Sequence, residues 1–457
     1  MTAEPNREES MPTVRTTRTR NWLIACAVAA ALAPAASAQV GPDVTVYSIS
    51  GVSSYGTDGI DRGYAIGTTS CNIGDVPVNW CDNSGGCAPL TWEQHPVIAQ
   101  NMFRLKEGRF TQVGSSWLKH GFLSTNSNAG SSCTGPTGQQ CTIPPLGGNQ
   151  LGIGCTDTYG SSLNGSRPMG MPSEVNATTG VFPFPETVVP TDDVVDQRMR
   201  IAVTDLDPAQ NAGAVYWTEA HYISDNDAMA GNGLNNASYR KASFGAAPDH
   251  VLSLTESTVR EKWAVDAWAA TQPGAELMQV AIGAPGGPEQ VFHVGRVVTA
   301  PPAVGGATWH YEYFVHNMNS DRAARRLLID FADGATISGV GFRDIDHHSG
   351  EYEPGTGFPY STTDWGSTVE PLDGSVSWQT DLFDVAPNAN ALRWSTLYNF
   401  WFDADVGPDQ IDFHELTLFR PGTPCRVAFS FSPEFVFADD FETGDLCLWS
   451  DPVTGIP

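Results

Sequence analysis

The sequence predicts an all-β protein: a disulfide-braced N-terminal β-region, then an antiparallel β-sandwich with one short helix, then a short C-terminal tail. Three observations carry that expectation. The stretch Asn-Ala-Leu-Arg-Trp-Ser-Thr-Leu-Tyr-Asn-Phe-Trp-Phe-Asp-Ala-Asp at 390–405 reads as one long strand, with Leu392, Trp394, Tyr398, Phe400 and Phe402 at even spacing on one face. Arg393, Ser395, Asn399 and Asp403 fall on the other face, and Trp401 is the exception. Burying a large apolar side chain contributes about 1.5–3 kcal/mol, so such a face needs a second layer, which a packed sandwich supplies. Short alternating segments also recur between Gly, Pro and Asp turns, in a chain apolar enough to build a core. Finally, Cys71, Cys81, Cys87, Cys133, Cys141 and Cys155 crowd one N-terminal block.

Taken in order, residues 1–38 read as a secretory signal, with initiation at Met1 or Met11. Arg15, Arg18 and Arg20 form the positive start, 22–36 is apolar, and Ala36-Ser37-Ala38 is an A-x-A cleavage site that leaves Gln39 as the mature start. The apolar run is shorter than the roughly 20 residues of a membrane span and Pro34 interrupts it. No later stretch is long and apolar enough, so no transmembrane anchor is expected after signal removal. Residues 39–190 form the Cys/Gly-rich β-domain. It has strands near 44–49 and 64–70, a strand–turn–strand pattern across Gly108, and a loop at 126–152 that is long without its cysteines. The prolines at 181–190 suggest a linker.

Residues 191–424 form the sandwich. Strands are expected near 199–203 and 213–223, and a loop rich in Asp, Asn and Gly at 225–236. A helix is expected at 258–270, where Thr258 and Glu261 have capping-box spacing and Val259, Trp263 and Ala267 repeat every four residues. Residues 290–298 and 308–317 read as a hairpin, followed by strands near 327–331, 335–342, 376–378, 392–402 and 415–419. Residues 425–457 form an acidic, aromatic tail too short for its own core.

The formal net charge of −27 disfavours nucleic acid and anionic membranes as partners and suits solubility outside the cell. Cys26 leaves with the signal, and the remaining even set of cysteines in an exported chain implies disulfides. Cys425 and Cys447 are the natural tail pair, while the connectivity of the N-terminal six stays open. There is no C-x-x-C, which argues against zinc-ribbon and thioredoxin chemistry.

Three blocks carry a resemblance: Gly-Thr-Thr-Ser-Cys-Asn-Ile-Gly at 67–74, His-Pro-Val-Ile-Ala-Gln-Asn at 95–101 with Ser-Trp-Leu-Lys-His-Gly-Phe at 116–122, and the aromatic stretch at 390–405. On these the chain resembles uncharacterised secreted bacterial proteins with a C-terminal β-sandwich. The resemblance brings no activity with it. The tail at 437–450 is similar to a short Phe-Glu-x-Gly-Asp ending on unrelated exported bacterial proteins, which implies sorting or surface retention. With Cys447 in it, a disulfide-fixed extension is an equal reading.

Candidate metal ligands fall in three groups. Glu219 and His221 share one strand face, and His310 and Glu312 share another that His316 ends. Alternate strand positions present imidazole and carboxylate to one ion, and adjacent strands can combine such sets. The densest polar cluster holds Asp344, Asp346, His347, His348 and Glu351; its oxygens suit calcium and its imidazoles a transition metal. Asp225 and Asp227 with Asn232, and Asp403 and Asp405 with Asp409, are weaker calcium candidates that lack the EF-hand spacing. No G-x-S-x-G, H-E-x-x-H, P-loop or dinucleotide-binding signature is present, and nothing nominates a catalytic Ser. The expectation is therefore a secreted or cell-surface structural or binding protein, with a cell-surface or saccharide ligand and no identifiable catalysis. The alternative is a metal-dependent extracellular hydrolase or oxidase using a His/Glu/Asp site on the sandwich, with calcium or a transition metal as cofactor.

Overall fold

The computed structural model describes residues 40–431, apart from 82–86, 92, 122, 166–168, 190–192, 284–287, 302–307, 333 and 372–373. The segment expected to be a signal, most of the tail and Cys447 therefore lie outside the described residues. The fold is all-β, with every strand pair antiparallel among the described residues.

Strands Val44–Thr57 and Asp61–Asn72 form a long hairpin with register shifts at three places. Such bulges bend a strand and increase its twist. The hairpin folds back, so that Val46 O accepts the Ser238 hydroxyl and Ile49 O accepts an Arg240 N–H. Strands Val97–Lys106, Arg109–Ser115, Met199–Ala202, Val215–Ile223 and Ala237–Phe244 complete most of this eleven-stranded sheet. It takes strands from both sides of residue 190, the expected domain boundary, and runs on to Leu252–Leu254. Cys71–Cys133, Cys81–Cys87 and Cys141–Cys155 brace its N-terminal part. Cys425 is also disulfide-bonded.

Two five-stranded sheets make the sandwich. The middle sheet runs Glu276–Ile282, Gln290–Thr299, Trp309–Asn317, Thr396–Ala404, Ile337–Arg343, and the outer sheet runs Gly366–Glu370, Ser375–Gln379, Ala324–Phe331, Ile411–Leu418, Arg426–Phe429. The expected hairpin of 290–298 with 308–317 is the second pair of the middle sheet. Phe292, Tyr311, Tyr313, Tyr398, Phe400 and Phe402 meet Leu327, Ile329, Val376, Trp378 and Leu416 in the core between these sheets. The other face of the middle sheet is covered too. Phe314, Val291 and Leu397 pack on Phe103, Phe110 and Trp217 of the first sheet, with Trp263 and Trp268 wedged between. The middle sheet is thus enclosed on both faces.

Two local expectations need correction. The strand expected at 390–405 begins only at Thr396, because Ser395 takes a left-handed backbone with φ 64°. That turn separates Trp394 from the other rings: it packs with Val97, Leu118 and Val175 against the first sheet, not in the sandwich core. The helix expected at 258–270 is shorter, Ala264–Thr271. Val259 pairs with Tyr239 as extended chain, the Thr258 hydroxyl accepts the Ile49 N–H, and Glu261 has φ 54°. The cap is instead Asp266, whose carboxylate accepts the Trp263 N–H one turn back.

Candidate functional site

Where the first sheet meets the sandwich, a cleft encloses about 670 Å³, counting its open mouth. Its walls come from four separate segments: 115–118 after the strand Arg109–Ser115, the turn around Pro172–Glu174, residues 345–351, and 393–396. Tyr360, Asp321 and Arg420 close one side. Two indoles tie these segments together. Trp117 Nε1 donates to His348 O at 3.2 Å, and Trp394 Nε1 donates to Pro172 O at 3.0 Å.

The His-His pair has a split role. His348 is fully bonded: Nε2 donates to Ser115 O at 2.9 Å and Nδ1 bonds Ser349 Oγ at 2.8 Å. Burial pushes its imidazole down to about 4, so it is a neutral clip between loop and sheet. His347 points its Nδ1 at Glu351 Oε2, 3.4 Å away, while its Nε2 is buried with no hydrogen-bond partner. Glu351 Oε1 accepts the Ser173 N–H at 2.8 Å. Burial opposes a charge on Glu351, but the His347 bond and the Ser173 N–H outweigh it and hold the carboxyl below its usual range. Glu351 is therefore the acceptor and His347 Nδ1 the donor, which leaves Nε2 as the ring's second, unbonded nitrogen. Ser173 Oγ is likewise buried and without a partner.

Behind this pair sits a salt-bridged wall. Glu353 receives Arg393 at 3.5 Å and Arg420 at 2.9 Å, and Arg420 also meets Asp321 at 2.8 Å. The Arg393 guanidinium lies 3.5 Å from the Tyr360 ring centre. Asp346 lines the cleft, while Asp344 sits behind it, accepting the Asn390 amide and held above its usual range chiefly by burial.

The other candidates go elsewhere. Glu219 caps the helix Ala264–Thr271, accepting the Ala264 N–H at 2.7 Å and the Asn101 amide at 3.2 Å; burial pushes it up to about 7. His221 and His316 come together from opposed sheets, not from neighbouring strands, and both pack on Trp263. His316 bonds His293, which sequence reasoning did not single out, at 3.2 Å. Burial pushes His221 to about 3 and His293 to about 4, and holds His316 well below its usual range. His310 and Glu312 lie at the opposite end of their strand from His316. They form a surface network with Asp403 at 2.7 Å from His310 and Arg109 at 2.6 Å from Glu312. Among the described residues, no three His, Cys, Asp or Glu side chains converge as a metal site. The sets on the two strands do not merge into one.

The chain matches no known protein-family model and no curated protein. The adjacent histidines at 347–348 were visible as a polar cluster. Ser173, Arg393 and Arg420 were not nominated for the site: no motif surrounds Ser173, and it reaches Glu351 across 178 residues.

Proposed function

We propose that this is an exported ligand-binding protein whose ligand enters the cleft and donates a hydroxyl to His347 Nε2. The observation that carries the reading is that His347, a lining residue of the cleft, is oriented by Glu351 while its other nitrogen is buried without a hydrogen-bond partner. An unpaired buried nitrogen costs about 1–3 kcal/mol, which a ligand hydroxyl would recover. A concave lining of mixed apolar walls with a few converging polar groups has the composition of small-molecule sites. Together with Ser173 Oγ, these atoms suit a small polyhydroxylated molecule such as a saccharide unit. The disulfides and acidic charge favour an extracellular setting. Mature protein is titrated with a panel of mono- and oligosaccharides by calorimetry. A binder is expected whose affinity falls at least tenfold in His347→Ala. Failure of every saccharide, or equal binding by His347→Ala, refutes this reading.

A second reading, hydrolysis through an acyl-enzyme, has its own observation. Ser173, His347 and Glu351 are the residue types of a nucleophile, a base and an orienting carboxylate, and all three line one cleft, although Ser173 Oγ and His347 Nε2 are buried and not bonded to each other. A fluorophosphonate probe is expected to label wild type but not Ser173→Ala. No labelling of wild type removes this reading.

A further inference from the structure

A second polar cluster lies far from the cleft residues in sequence, where the start of the first strand meets the helix Asp225–Ala230 and the turn after it. Asp43 and Asp227 have no exposed surface there, and Asn236 has 1%. Asp227 Oδ1 accepts the Val44 N–H at 3.1 Å, which brings it beside Asp43. Asn236 Nδ2 donates to Asp227 Oδ2 at 2.5 Å, and Asn235 Nδ2 donates to Asp43 Oδ2 at 3.3 Å. Neither carboxylate has an Arg or Lys partner among the described residues. Three oxygens of the cluster, Asp43 Oδ1, Asn235 Oδ1 and Asn236 Oδ1, are buried with no hydrogen-bond partner.

We propose that Asp43, Asp227, Asn235 and Asn236 form a calcium site that pins the N-terminal strand to this turn. Oxygen and nitrogen of an Asn amide exchange places on a half-turn about the last side-chain bond. That rotation brings Asn235 Oδ1 and Asn236 Oδ1 to the carboxylates. Two carboxylates and two amide oxygens then provide four to six ligands, within reach of the six to eight oxygens that calcium takes. Two negative charges balance one divalent cation, which removes the penalty of burying them unpaired. Magnesium holds several of its waters and suits so enclosed an all-protein cage poorly. Zinc and copper favour nitrogen or sulfur, which none of the four side chains offers to an ion as a good donor. Burial, the largest cause, pushes Asp43 up to about 7 and raises Asp227 well above its usual range, with the Asp43 charge adding to the latter. Half the donors are amides, so the cluster is not one of the His/Cys/Asp/Glu triads discussed above. Of the earlier calcium candidates only Asp227 belongs to it. Asp225 pairs with Gln94, and Asn232 donates to Val40 O and Pro42 O, closing the same junction from outside.

Mature protein dialysed against EDTA is titrated with CaCl₂ and with MgCl₂ by calorimetry, and its thermal unfolding is followed with and without CaCl₂. One Ca²⁺ per chain is expected, with a Kd at or below about 1 mM, the weak end for extracellular sites. Ca²⁺ should raise the unfolding temperature. Asp43→Asn should lose binding at least tenfold yet be no less stable than wild type in EDTA, because it removes an uncompensated charge. Asp225→Asn should bind as wild type does. Absence of Ca²⁺ binding by wild type, equal affinity for Mg²⁺, or undiminished binding by Asp43→Asn each overturns the assignment. The wild-type titration decides even if a variant fails to fold.

Discussion

Replacing Phe400 by alanine tests the layering directly. Phe400 has no exposed surface, and the rings of Phe342, Trp365 and Trp378 surround it at 5.4, 5.6 and 5.3 Å. An aromatic side chain buries at least about 150 Å², which at about 25 cal/mol per Å² is about 3.8 kcal/mol. Two of the surrounding rings are held in place and limit collapse of the gap. Trp365 is tied by its N–H to Asn390 O, and Trp378 sits in the opposing sheet. The loss should therefore fall in the upper half of the about 3–5 kcal/mol seen for Phe→Ala in cores. Trp401 is the internal control. It points to the other face, half-buried, with Arg109 stacked 3.6 Å from its ring centre, and Trp401→Ala should cost about 1–2 kcal/mol. The assay is equilibrium urea unfolding with disulfides intact, followed by circular dichroism, where the midpoint moves and the slope does not. A Phe400→Ala loss below about 1 kcal/mol, or one smaller than that of Trp401→Ala, would mean the ring is not between the two sheets.

Three further outcomes are expected. Burial holds His414 down at about 3 in the fold, against about 6.5 unfolded, so its contribution is present above pH 6.5 and lost as pH falls toward 3. Wild type should therefore lose about 2 kcal/mol of stability relative to His414→Phe between pH 7 and pH 5 in urea unfolding; a constant difference would show that burial does not depress His414 in the fold. Replacing both Cys71 and Cys133 by serine opens a 62-residue span and should cost about 4 kcal/mol, read from the urea midpoint. An unchanged midpoint counts against that bridge. Intact-mass measurement and non-reducing peptide mapping of exported protein should give a chain starting at Gln39 with Cys425 joined to Cys447; a retained 1–38 segment or free thiols at both positions contradicts it.

Much of the architecture was legible because a strand's period of two is a direct record of which side is buried. Phe400, Phe402 and Tyr398 were assigned to the sandwich core on that basis and lie there. Trp394 broke the pattern because the left-handed residue Ser395 turns it toward the first sheet, while Leu392 before it stays in the sandwich core, and no glycine marks the spot. The helix start failed for a related reason: Thr258 and Glu261 have capping-box spacing, but the Thr258 hydroxyl accepts the Ile49 N–H and the Glu261 N–H donates to Ser238 Oγ. The cleft was half legible. His347, His348 and Glu351 are neighbours in sequence, whereas Ser173 and Arg420 reach them only through the packing of three layers.

The polar face of the strand Thr396–Ala404 shows what that packing adds. Period two separates Asn399 and Ser395 from the core rings, and in a two-layer sandwich they would face water. Here they face the first sheet. Asn399 donates to Phe110 O at 2.8 Å, Asn101 donates to Ser395 Oγ at 2.9 Å, and Gln112 both donates to Ser395 O and accepts the Leu397 N–H. A made hydrogen bond of this kind contributes about 0.5–1.5 kcal/mol, but a broken one leaves buried groups unpaired at about 1–3 kcal/mol each. Sliding the first sheet along the sandwich by one residue would break all four bonds at once. This layer therefore fixes relative position more than it adds stability. The cleft draws one wall from Ser115 and Trp117 and another from Arg393 and Trp394, on either side of the same polar layer. Its walls are accordingly held in register, so that the binding proposed at His347 would require no closure of one sheet on the other.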